Sequence, residues 1–407
     1  MFLTSIEERM LRGDFGPAVQ WAMELLAKYG DAVGAERLID INNVHGLVPY
    51  PELVEIMRLE KCKLKVKCTN HIVPFPDEWK EIGMPDKDYD RQREFCQLCR
   101  KIGAINTFTC APYQVGNVPV FGEHIVWTES FAQVFANSVI GARTNNEGIQ
   151  SSLASALTGK TPKFGYHLDE NRKGSVLIKI QTRLETPQEY SALGYYAGRI
   201  CRSEIPVFKG IRKTPSIEQY KGLCSALRTT GSMCLFHIAG LTPEAKSKVL
   251  FREGKPSDKT SFGKEELKDS FERLSTASDG KVDLAVFGCP HASIYEIQKI
   301  AFLLNGRKIH RDVKLWVLTS NVIKSLATIM GYTDIIEKAG GRLLANSCDL
   351  MNGRRFHLFN MPFEHIDVYV TDSGKHGYYA SQLLPGKKII VSTTAKCIEA
   401  AVKGIFK

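Results

Sequence analysis

From Asp283 to the last residue the sequence repeats one unit, a short apolar run followed by a segment of helical periodicity. The apolar runs are Asp283–Gly288, Val313–Thr319, Arg342–Ala345, Asp367–Thr371 and Lys388–Ser392. Helical patterns follow several of them, at Ile294–Leu304, Val322–Met330 and Ala395–Val402. Near-continuous apolar runs suit strands covered on both faces, and helices of this length make the connections parallel. The pattern predicts a doubly wound α/β fold, whose ligands sit at the carboxyl ends of the strands.

The upstream half follows the same logic less regularly. Helices are expected at about Asp14–Tyr29, Arg91–Ile102, Ser130–Ile140 and Ile149–Leu157. Strands are expected at Arg37–Ile41, Leu64–Cys68 and Ile105–Cys110. The polar stretch Phe251–Gly263 is expected to be a surface loop. With 407 residues the chain is long enough for more than one domain. We divide it into an N-terminal α/β region, 1–225, and a C-terminal doubly wound region, 226–407.

Composition excludes several classes. At 43% hydrophobic and 24% charged residues, disorder, collagen-like repetition and small disulfide scaffolds do not describe the chain. Lys+Arg exceeds Asp+Glu, 54 against 44, but the basic runs lack interleaved aromatics. A solvated basic surface or an anionic substrate accounts for that balance better than nucleic acid. No apolar run approaches the roughly 20 residues of a membrane span. Met1–Arg9 is acidic within seven residues, unlike a signal peptide. The expected setting is cytoplasmic and reducing, where the eleven cysteines stay free or bind metal.

Three of those cysteines share a context. Cys110, Cys289 and Cys348 each stand just past an expected strand, at positions that converge on one crevice in a parallel sheet. Thiolates from three strand ends suit an iron–sulfur cluster with one open position, or they are buried cysteines acting as small hydrophobes. Cys96 and Cys99 form a C-x-x-C inside a helical pattern, which suits helix packing better than redox chemistry or zinc.

Polar segments surround them. Gly122–Ser130 packs Glu123, His124 and Glu129 into nine residues, and Gly141–Gly148 is a polar loop running into a helix. Arg143, Thr144 and Asn145 offer an anion cradle there, unless the segment is an ordinary capped helix start. Asp372-Ser373-Gly374-Lys375 follows a strand and places a hydroxyl and an ammonium in a tight loop, or forms a plain turn. His45 also stands at a strand end.

Phe-Gly-Glu-His-Ile-Val-Trp-Thr-Glu-Ser (121–130), Ala-Asn-Ser-Val-Ile-Gly-Ala-Arg-Thr-Asn (136–145), Gly-Tyr-His-Leu-Asp-Glu-Asn-Arg (165–172) and Gly-Cys-Pro-His-Ala-Ser (288–293) resemble the aconitase X family. The resemblance extends along nearly the whole chain, with the motifs in the family's order. It implies an aconitase-like, multi-domain dehydratase fold with a 3Fe–4S or 4Fe–4S cluster on Cys110, Cys289 and Cys348. Members of about this length are large subunits that pair with a small swivelling subunit and dehydrate mevalonate 5-phosphate to trans-anhydromevalonate 5-phosphate. Longer single-chain members are similar to cis-3-hydroxy-L-proline dehydratases. The implied partner is therefore a small subunit, and the implied substrate a small anionic acid.

Applied to this sequence, the resemblance implies β-elimination of water from a 3-hydroxy acid. Arg143, Thr144 and Asn145, with Asn43 and Asn117, are expected to bind substrate. The base is expected from the small subunit, or else is Ser373 activated by Lys375; His45 and Glu123 are expected to deliver or position protons. The sequence departs from the family's common pattern at Asn42-Asn43-Val44-His45, Lys67–His71, Asp372 and the segment after Cys348, which bears on the substrate more than on the reaction.

Overall fold

The structure, a computed structural model, describes residues 1–73, 76, 78, 80, 86–246, 250–252, 254–348, 350 and 366–407. The expected substrate segment after Cys348 lies mostly outside them.

In the N-terminal part β1 (Leu38–Asp40) pairs antiparallel with β5 (Lys160–Pro162). Three further strands, β2 (Asn43–Leu47), β3 (Lys67–Asn70) and β4 (Val126–Trp127), form a parallel sheet in the order β3-β2-β4. The expected strand at Leu64–Cys68 thus starts and ends later. Ile105–Cys110 is not a strand: Ile105 makes one bridge to Thr69, and Phe108, with φ of +39°, breaks the extended run. The helix Pro17–Ala32 begins at its proline, after Gly16. Ser130–Phe135 is α-helical and continues as a π-turn, Ala136–Ile140, so the expected single helix has two pitches.

The middle sheet is also parallel. It runs β8 (His237–Ile238), β7 (Pro206–Lys209), β6 (Val176–Ile180), β9 (Asp258–Phe262). The expected loop at Phe251–Gly263 therefore ends in an edge strand: β9 pairs along all of β6, and Phe262 is fully buried. One apolar cluster joins this sheet to the N-terminal part, with Trp127 and Phe131 packed among Tyr220, Leu223 and Phe236. The expected division at residue 225 passes through the helix Ile217–Thr230, whose inward side belongs to that cluster.

The last sheet carries the predicted doubly wound pattern. A short antiparallel pair, β10 (Gly280–Lys281) with β16 (Ile405–Phe406), closes its base. Five parallel strands follow the order β13 (Arg342–Ala345), β12 (Lys314–Thr319), β11 (Leu284–Phe287), β14 (Val368–Thr371), β15 (Lys388–Val391). The chain winds outward from β11 to one edge and returns through β14 to the other, so the switch point lies between β11 and β14. Open α/β sheets bind ligands at that crevice. All four residues of β11 and of β14 are buried, as their apolar sequences require.

Candidate functional site

Two loops leave the switch point side by side. Gly288-Cys289-Pro290-His291 follows β11, and Asp372-Ser373 follows β14 and caps the helix Gly374–Leu383. The Ser373 hydroxyl donates to the Cys289 carbonyl and accepts from the His376 N–H at 3.0 Å, which joins the loops.

His291 ties all three cysteine segments together. Its backbone N–H donates to Cys110 Sγ at 3.0 Å. Its ring Nε2 donates to the carbonyl of Ser347, next to Cys348, at 2.9 Å. A carbonyl only accepts, so Nδ1 is left as the acceptor for Thr109 Oγ1 at 3.3 Å, beside Cys110. Burial, opposed mainly by the Ser347 carbonyl, drives this imidazole down to about 4 and keeps it neutral. From the middle part, Lys221 Nζ donates to the carbonyls of Pro290 and His291 at 3.2 and 3.1 Å and pairs with Glu296.

A buried ion pair forms the opposite wall. Lys375 Nζ lies 2.7 Å from Glu129 Oε1 and 3.0 Å from Ser130 Oγ, with the Phe131 ring centre 5.7 Å away. Burial works against the Lys375 charge, but the Glu129 carboxylate holds its pKa above the ordinary lysine value. Glu129 caps the helix Ser130–Phe135 through the Ala132 N–H at 3.0 Å. Lys375 and Ser373, close in sequence, serve different partners, so the expected activation of Ser373 by Lys375 is not made in this arrangement.

The third wall is the β2-β3-β4 sheet, with His45 fully buried on its central strand. Burial, reinforced by His71, lowers the His45 pKa to about 3; burial and Lys375 lower that of His71 to about 3. The His45 and His71 ring centres are 6.1 Å apart. Asn43 and Asn117, expected to bind substrate, are hydrogen-bonded to each other.

The remaining expected residues are each engaged with partners in the N-terminal part. Glu123 accepts from the Val120 N–H at 2.8 Å, turning its own loop. Arg143 donates to the His167 carbonyl at 3.0 Å and pairs with the exposed Asp169. Thr144 Oγ1 accepts from the Trp127 N–H at 3.1 Å, and Asn145 holds the Tyr166 N–H at 2.7 Å. The helix beyond them starts only at Ile149, and the Thr144 N–H is taken by Asn137 Oδ1 at 3.0 Å. Among the described residues, no hydrogen bond joins the Arg143–Asn145 loop to the cysteine loops.

Glu129, His71 and His291 lie in segments singled out from the sequence but were assigned no role there. Glu129 was visible as the residue before a helix start, a capping position, whereas Glu123 has no helix after it. Nothing local marks the other two.

The donor set fits an iron–sulfur cluster in kind. Three thiols come from separate segments held by one imidazole, and a backbone N–H already points at one sulfur. Cys110, pushed up to about 12 by burial and by Glu129, is a thiol until a metal displaces its proton. Among the described residues, no three His, Cys, Asp or Glu side chains form a group able to hold a metal ion. A polynuclear cluster takes each thiolate on its own iron and accommodates a wider spacing than a single ion.

Comparison with known proteins agrees with this three-part architecture. The models for the first, second and third domains of aconitase X match residues 1–170, 174–272 and 282–403, one for each set of sheets. The phosphomevalonate dehydratase large subunit of Methanocaldococcus jannaschii is 39% identical over 396 residues, covering 93% of this chain and 95% of that protein. The cis-3-hydroxy-L-proline dehydratase of Pseudomonas aeruginosa is 32% identical over 416 residues, covering 99% of this chain and 70% of that protein. The crystal structure of Thermococcus kodakaraensis aconitase X in its holo-form matches with a TM-score of 0.85 and 34% identity, covering 98% of this chain and 100% of that one. Among the described residues no helix is long and apolar enough to cross a membrane.

Proposed function

Since the chain belongs to the aconitase X family, we propose that it is the large subunit of a hydro-lyase that dehydrates mevalonate 5-phosphate to trans-anhydromevalonate 5-phosphate. The observation that carries this reading is the 39% identity to a phosphomevalonate dehydratase large subunit along almost the whole of both chains. The hydroxyproline dehydratase relative is less similar, and this chain spans 70% of its length.

Cys110, Cys289 and Cys348 would hold the iron–sulfur cluster, with His291 fixing their loops. When bound, the cluster supplies Lewis acidity toward the hydroxyl that leaves. The protein's own groups do the rest. The Lys375 ammonium adds a fixed positive charge to a crevice that must accept an anion. Arg143 exchanges the exposed Asp169 carboxylate for that of the substrate, while Thr144 and Asn145 hold its loop. His45 acts as a neutral imidazole at the hydroxyl side, and Glu123 orders the rim.

The base removes the proton α to the carboxylate. We assign it first to the small subunit, which completes the crevice, and second to Ser373, whose hydroxyl is engaged with Cys289. The substrate reading is tested by offering both hydroxy acids to the reconstituted pair under anaerobic conditions. Loss of water from mevalonate 5-phosphate alone supports it; turnover of cis-3-hydroxy-L-proline alone overturns it.

A further inference from the structure

A chain of side-chain hydrogen bonds runs through the β2-β3-β4 sheet to His45. Parallel register sets its ends: His45 on β2 is paired with Thr69 on β3 and with Trp127 on β4. Trp127 Nε1 donates to Asn43 Oδ1 at 3.0 Å. Asn43 Nδ2 donates to Asn117 Oδ1. Asn117 Nδ2 donates to Thr69 Oγ1 at 2.6 Å, and Thr69 Oγ1 lies 2.8 Å from His45 Nδ1. Every member is at most 7% exposed.

The direction of this chain is forced. An indole N–H can only donate, so the Asn43 atom facing it is the carbonyl oxygen and its amide faces Asn117. That fixes Asn117 the same way round, and a second anchor agrees, since Asn117 Nδ2 also faces the Val44 carbonyl at 3.4 Å. Thr69 Oγ1 therefore accepts from Asn117. Among the described residues its only other side-chain partner is His45, so the Thr69 proton goes to Nδ1. The alternative, Nδ1–H donating to Thr69, strands a buried hydroxyl proton without an acceptor.

We propose that Trp127, Asn43, Asn117 and Thr69 are positioning residues that lock His45 in the Nε2–H tautomer, so that it offers a proton to the crevice and cannot take one at Nε2. His45 Nε2 has no hydrogen-bond partner among the described residues. The Thr109 carbonyl, beside Cys110, favours a proton on the ring without reaching that geometry. Burial keeps the ring neutral, so this proton is offered by imidazole and not by imidazolium. Asn43 and Asn117, expected from the sequence to touch substrate, are instead committed to this relay. The use made of the proton rests on the hydro-lyase reading; its location does not.

The test is the tautomer of His45 in the full chain with its partner, from two-bond proton–nitrogen spectra of protein labelled with ¹⁵N-histidine. His45 is identified by the signals missing from H45Q. The expected wild-type pattern has Nε2 protonated and Nδ1 bare. In N117D the carboxylate cannot donate, Thr69 turns its proton toward it, and His45 must shift to Nδ1–H. The same variant should lose about 10²–10⁴-fold in kcat with a smaller change in KM. If N117D does not fold, T69V carries the test, because loss of the hydroxyl should turn one tautomer into a mixture while T69S keeps it. Wild-type His45 with Nδ1–H, or a folded N117D or T69V with an unchanged pattern, overturns the relay. An Nε2–H pattern in a protein that dehydrates neither hydroxy acid overturns the functional reading and leaves the relay standing.

Discussion

Lys375 Nζ and Glu129 Oε1 stand 2.7 Å apart with side chains only 10% and 4% exposed, joining the third domain to the first across the crevice. The pair shares charge that neither residue could carry there alone. Removing one partner leaves a buried charge unmatched, at a cost of about 3–5 kcal/mol. E129Q should therefore lower stability by that order in urea unfolding, and E129Q combined with K375M should recover part of the loss. Equal losses in the single and double variants would contradict the coupling.

The eleven cysteines do not all share the partners of His291. Cys397 is buried in the apolar cluster of the last sheet, and Cys201 and Cys224 lie in the same apolar cluster as Cys110, while His291 itself bonds Cys110 Sγ and the carbonyl of Ser347. C110A, C289A and C348A should each reduce bound iron and sulfide to background after anaerobic reconstitution. C201A and C397A should retain them. Loss of iron in the second group as well would mean that folding, and not ligation, is being read.

Gly288 places Cys289. Its φ is +90°, a left-handed conformation, and a Cβ there would run into the Leu318 carbonyl. G288A should displace the loop that carries Cys289 and His291. The expected result is a clear loss of bound iron, with thermal stability falling by at least the 1 kcal/mol or so that such strain costs. Iron uptake equal to wild type would show that the loop tolerates the shift.

Glu147 gives a pH-dependent prediction away from the crevice. Burial raises its carboxyl from 4.5 to about 7, and Oε1 has no partner among the described residues. Below pH 4.5 the group is protonated folded or unfolded and costs nothing. Between pH 4.5 and 7 the unfolded chain has released a proton that the folded chain still retains, so stability falls across that window and the penalty, up to about 3 kcal/mol, is complete above pH 7. E147Q should be more stable than wild type at pH 8 by that order, and the two should converge near pH 4. A difference independent of pH would contradict the buried-carboxyl account.

The legibility of this protein followed the range of its interactions. Buried parallel strands announce themselves locally, so β11 to β15 were placed within a residue or two, and Cys289 and Cys348 with them. Cys110 was found for a partly mistaken reason, because Ile105–Cys110 is held by Asn70 and His291 and not by a strand ladder. Glu129, His71 and His291 were given no role because their partners lie 56 to 304 residues away: Lys375 for the first, Lys375 and His291 for the second, Cys110 and Ser347 for the last. Asn43 and Asn117 were recognised as site residues, yet only the sheet register could reveal that they face each other. Arg143 was legible as a cation in a polar loop, but its pairing with Asp169 was not.

The most direct measurement is the rate of water loss from mevalonate 5-phosphate, followed anaerobically by proton NMR with the small subunit present, as iron and sulfide are restored to the apo pair. The account predicts that the rate rises in proportion to bound cluster in the wild type and stays at background in C110A, C289A and C348A. Dehydration at full rate in the iron-free protein, or in any of the three variants, would contradict it.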